Sequence, residues 1–96
     1  MSTTSLIHKF EIDLRAQGPS ETFAVDLPAF AEVIHAAEQF EGSVAVWYRF
    51  RQEHLKSKAK RHLVLVPTGA EHPSNARYLA TAICYGGRLV LHLMEA

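Results

Sequence analysis

The chain has one cysteine, Cys84, among 96 residues. A single thiol excludes an internal disulfide, and that usage suits a reducing compartment. No run approaches the roughly 18 consecutive apolar residues that read as a membrane-spanning helix, so no membrane is expected among its partners. Residues 1–5, Met-Ser-Thr-Thr-Ser, are not a basic segment leading into an apolar one, so no signal peptide is expected and the cytoplasm is the expected location. There is no excess of either charge: ten bases stand against ten acids and the pI is about 7.0. General nucleic-acid binding is therefore not expected, because such domains carry a basic footprint. The six histidines, His8, His35, His54, His62, His72 and His92, lie no closer than eight residues apart. Metal sites draw on close pairs, and His-Glu-x-x-His is also missing, so neither a metal nor a cofactor is expected. They read instead as strand-face or surface histidines with ordinary hydrogen bonds. Linkers, repeats and low-complexity segments are missing too, which leaves one domain over residues 1–96.

What is present is apolar content of 48% on a short chain. A domain of this size buries only roughly 60–65% of the surface its unfolded chain exposes. With no disulfide or metal to help, a homo-oligomer is expected to cover part of the rest.

The apolar residues come in short runs that alternate with period two and end at turn signals, the mark of a β-rich domain. Leu6, His8, Phe10 and Ile12 share one face of a first strand, and Glu21–Leu27 reads as a second. Ser43–Phe50 alternates most clearly, with Val44, Val46, Tyr48 and Phe50 opposite Ala45, Trp47 and Arg49. Leu63–Val66 is apolar and stops at Pro67-Thr68-Gly69. Tyr78, Ala80 and Ala82 alternate with Leu79, Thr81 and Ile83. Tyr85-Gly86-Gly87 then turns the chain into Leu89–Met94, since glycine supplies the positive φ of a hairpin turn. Residues 27–39 are ambiguous: Pro28 and several alanines favour a helix, whereas Val33 and Ile34 favour a strand.

The order and spacing of several short motifs are familiar. They are Ile7-His8-Lys9-Phe10, Val46-Trp47-Tyr48, Thr68-Gly69 before His72-Pro73, Ala76-Arg77-Tyr78-Leu79 before Thr81, and Gly86 through Glu95. With them the chain resembles, over nearly its whole length, a family of small proteins of unknown function encoded mostly by bacteriophages and prophages. The resemblance implies a strand over residues 32–39, with at most one helical turn at 28–31. The expected fold is a single antiparallel sandwich or small barrel of six to seven strands, with at most one short helical segment near 28–37. The resemblance implies a setting rather than an activity: small phage genes often encode inhibitors of host defence or accessory binding proteins, here in the host bacterial cytoplasm. Two departures from the family pattern lie in loops. Residues 51–60 are more basic than usual, and Ala70-Glu71 is inserted.

Charge is unevenly placed. From Arg49 to Arg61 there are six bases and one acid, and the remainder carries the compensating five negative charges. The two halves of that dipole are expected to form opposed surface regions. The basic connection 51–60 is expected to be exposed and mobile, as an anion-facing flap.

Candidate contact residues are Arg49, Arg51, Lys56, Lys58, Lys60 and Arg61 from this run. Trp47 joins them, because it shares a face with Arg49 and offers a stacking surface. The turn Thr68, Gly69, Glu71 and His72 adds a hydroxyl, glycine-freed amides, a carboxylate and an imidazole; its bland reading is a wide turn. The leading expectation is a non-enzymatic binding protein that masks a host protein or sequesters a small anionic ligand, in a counter-defence role. The alternatives are a small enzyme using His72 with Glu71, or using Cys84, and a phage assembly accessory protein. A cysteine after an apolar strand is more often a buried structural thiol.

Overall fold

A computed structural model describes residues 4–96. Seven strands follow one another: β1 (Ser5–Asp13), β2 (Thr22–Pro28), β3 (Glu32–Phe40), β4 (Ser43–Arg51), β5 (Lys58–Pro67), β6 (Arg77–Cys84) and β7 (Leu89–Glu95). Single 3-10 turns occupy Gln52–His54 and Tyr85–Gly87. The strands form two antiparallel sheets, of order β1-β4-β3 and β2-β5-β7-β6. Strand β3 lies against β6, which brings the sheets together along that side.

Alternation in β4 carries the first sheet. Val44, Val46, Tyr48 and Phe50 are buried, while Arg49 and Arg51 are exposed. In β5 the four residues Leu63–Val66 are all buried, so this strand is covered on both faces. Leu63 and Leu65 join Leu91 and Leu93 in the core between the sheets. Val64 and Val66 pack on the other side with Met94 and the partly buried Ala76. That second cluster is why Met94 is buried although it alternates with Leu91 and Leu93.

The ambiguous stretch resolves as strand, within the expected limit of one helical turn, and two local expectations are corrected. Residues 28–31 form a tight turn between strands. Pro28 still pairs with Lys58, and the Ala29 N–H donates to the Ser57 carbonyl at 2.6 Å. The ladder therefore runs almost to the reversal and leaves no room for a helix. Ala31 N–H closes the turn on the Pro28 carbonyl at 3.1 Å. Next, Tyr78 does not share a face with Ala80 and Ala82. The register shifts between Tyr78 and Ala80, and such a bulge changes which way the side chains alternate. Lastly, the basic connection is shorter than expected, because Lys58, Ala59 and Lys60 already pair with β2.

Candidate functional site

The basic run divides in two. Arg61 lies across from Val25 in the β5–β2 ladder, and its side chain is only 14% exposed. Its guanidinium makes a bidentate pair with Glu95, Nε to Oε2 and Nη2 to Oε1, both at 2.7 Å. A third N–H donates to the Ala31 carbonyl at 2.6 Å. The hydrogen bonds from Arg61, with its charge, hold the Glu95 carboxyl below the usual carboxylate range against the opposing effect of burial. The same carboxylate raises the Arg61 guanidinium. A guanidinium that donates from all three of its nitrogens inside the fold is a clamp joining β5, the end of β7 and the 28–31 turn, not part of a surface flap. The expected opposition of a basic and an acidic region is corrected accordingly. Arg49 pairs with Glu32, Arg51 with Glu53 and Lys60 with Asp26, all exposed. Among the described residues, Lys56 and Lys58 are the bases of the run that make no ion pair.

These two lysines flank a corner that the sequence did not announce. Phe30, at the apex of the β2–β3 turn, has φ 61° and is 88% exposed. A bulky side chain in the left-handed region is a strained conformation costing about 1–3 kcal/mol. The ring meets the His54 imidazole at 5.3 Å between centroids. Arg51 completes an open cavity of about 380 Å³ with these two residues. Nδ1 of His54 is shielded from solvent and has no hydrogen-bond partner, and Leu55 beside it is part-exposed. An aromatic held outward at a conformational cost and an unsatisfied imidazole nitrogen thus meet at one corner, and the backbone of Lys58 pairs with Pro28, two residues from Phe30.

Trp47 stands on the outer face of the first sheet. Its neighbours across the strands are Lys9 and His35. The His35 ring lies 5.5 Å away, and the Lys9 ammonium sits 6.0 Å from the indole centroid. Tyr48 points inward, and burial raises its phenol. Trp47 is therefore half-covered by its own sheet and lies apart from the Phe30 corner.

The Thr68–His72 turn does not converge on a site. The Thr68 hydroxyl meets Nε2 of His92 at 2.8 Å, and the far ring nitrogen of His92 meets the Thr81 hydroxyl at 3.0 Å. His72 Nδ1 contacts the Pro73 carbonyl at 2.9 Å. Gly69 takes φ 92°, so its role is to let the chain turn. Glu71 is exposed beside it, and the structure gives no hydrogen bond joining it to His72. Cys84 is fully buried. Burial first, and the charge of Glu38 second, push its thiol up, the opposite of what a nucleophile requires. No group of three His, Cys, Asp or Glu among the described residues could hold a metal ion.

Three structural residues escaped sequence reasoning. Glu38 accepts from the Gly42 N–H at 3.2 Å and from the Tyr85 N–H at 2.9 Å, tying the β3–β4 turn to the β6–β7 turn. Glu95 and Phe30 are the others. A lone charge in an apolar strand was a usable signal for Glu95, since such a group needs a buried partner. Phe30 carried no signal, because nothing in its neighbours marks a positive φ.

No curated protein and no solved structure matches the chain. A family model does match, over residues 3–96, an extent that includes every described strand, the Arg61 clamp and the Phe30 corner, and the chain accordingly belongs to the family described as domain of unknown function DUF7352.

Proposed function

We propose that this chain is a non-enzymatic binding domain that masks an acidic protein surface through the corner of Phe30, Arg51, His54, Lys56 and Lys58. The observation that carries the reading is Phe30 itself, a phenyl ring 88% exposed at φ 61°. Beyond the contact with the His54 ring, folding gains little from a phenyl so exposed, whereas aromatic and arginine side chains are the residue types that anchor protein interfaces. The surrounding bases would raise the association rate with an acidic partner and make it salt-dependent. A host protein masked in a counter-defence role is the setting we favour, on the resemblance to phage-encoded proteins. A protein partner is preferred over a small anionic ligand because the cavity beside Phe30 is open and its polar groups do not converge on one point.

The test is capture from bacterial lysate on the immobilised chain, followed by affinity measurement with the protein identified. Wild-type chain should retain one partner at low salt, and Phe30→Ala and Lys56→Ser/Lys58→Ser should each weaken it. The double lysine change should also flatten the salt dependence. Affinity unchanged in both variants would remove the corner from the account.

A further inference from the structure

The four strands that end a sheet are not equally protected. An edge strand offers unpaired backbone groups to any other chain, and natural sheets blunt it with bulges, proline or cover. Strand β3 has two register shifts and β6 has one, and these two lie against each other. Strand β2 is seven residues long and ends in Pro28. Strand β1 is nine residues long, contains no proline and pairs with β4 without a register shift.

The direction of the free backbone groups on β1 follows from its two ends. The Thr4 carbonyl accepts from Gln52 N–H at 2.8 Å, and Leu14 N–H donates to the Gly42 carbonyl at 2.9 Å. Both are even-numbered, and backbone groups in an antiparallel strand point alternately to the two sides. The even residues therefore face β4, and the N–H and C=O groups of Ile7, Lys9 and Glu11 face outward. Beside this edge runs a groove of about 400 Å³ between β1 and β2, with Phe10 and Ile12 on one side and Phe23 and Val25 on the other.

We propose that this edge pairs with the β1 of a second copy of the chain, antiparallel about a two-fold axis through Phe10. The occupant is argued from charge. In that register each residue faces the one that brings the pair of residue numbers to the same total as Phe10 with itself. Lys9 then faces Glu11 of the second copy, and Glu11 faces its Lys9. Both side chains are exposed, and both stand on the same face of the strand. Phe10 meets its own copy, and His8 meets Ile12, on the face toward the groove. Shifting the axis to Lys9 sets the two ammonium groups against each other, and shifting it to Glu11 does the same with two carboxylates. The self-complementary register is therefore the one about Phe10. This interface is isologous, as closed dimers require. It lies on a different strand from the Phe30 corner and does not depend on the function proposed for it.

The experiment is light scattering on the full chain over a wide concentration series. Wild type should pass from monomer to dimer. Lys9→Glu and Glu11→Lys should each weaken the dimer about tenfold or more, because opposed unlike charges become opposed like charges. The double change Lys9→Glu/Glu11→Lys should restore it. Circular dichroism of the same samples confirms the fold of each variant. Amide exchange provides a second readout: Ile7, Lys9 and Glu11 should gain protection with concentration. A monomer throughout the series overturns the proposal. So does a dimer indifferent to the single changes, or one that the double change fails to restore.

Discussion

Arg61 and Lys58 are three residues apart on one strand, carry the same charge and have opposite fates. Arg61 points between the sheets and donates from each of its three nitrogens, to Glu95 and the Ala31 carbonyl. Lys58 stands in the open at the start of β5, with no ion pair among the described residues. Their difference follows from strand parity, which turns successive side chains to opposite faces, and from depth along the strand. A run of like charge is therefore not one functional object. One member holds the fold together, others are locally neutralised, and two are left without an ion pair where β5 begins opposite the end of β2.

The largest effect expected from this contrast is on stability. Arg61→Met should lower the free energy of unfolding by about 3 kcal/mol, because it strands a carboxylate with little exposure. Urea unfolding measures it, and Arg61→Met/Glu95→Met should recover most of the loss. A smaller effect comes from pH. The Glu95 carboxyl lies below its ordinary value of 4.5 in the folded chain. Its contribution is complete above that value and is lost as pH falls through it toward the lower folded value, because the unfolded chain takes up the proton first. Wild-type unfolding curves should show that loss, and Arg61→Met/Glu95→Met should lack it.

Smaller again is Phe30→Gly. It should stabilise the chain by about 1 kcal/mol by relieving the left-handed strain, while weakening partner capture. Stability and binding moving together would show that Phe30 serves the fold. The smallest effect is that of Lys56→Ser/Lys58→Ser, where unfolding should shift by no more than about 0.5 kcal/mol for each change.

Much of the architecture was legible because it rests on period-two alternation. The faces of β1, β4 and β7 follow from it, and the turn before Leu89 follows from the two glycines that take positive φ. Alternation puts Tyr78 on the wrong face, because a bulge at Leu79 leaves no mark in an alternating sequence. Residues 28–31 were open because proline and alanine suit a helix start, while the ladder to Lys58 and Ser57 is a long-range fact. The candidate site was less legible for a similar reason. Lys56 and Lys58 were identified from charge, but Phe30 and His54 join them only because the β2–β3 turn folds over the Gln52–His54 turn. Charge alone groups Arg61 with the surface bases, because its partner lies 34 residues away.

The division of the basic run is tested most directly by proton NMR of the arginine side chains across pH. The Arg61 Nε–H, bound to Glu95 at 2.7 Å, should give a slowly exchanging resonance near neutral pH. That resonance should lose its hydrogen-bonded downfield shift only as the pH falls into the range where Glu95 protonates. The Nε–H of Arg51, which is exposed, should exchange rapidly under the same conditions. Exchange of Arg61 as fast as that of Arg51, with no dependence on the Glu95 carboxylate, would contradict the account.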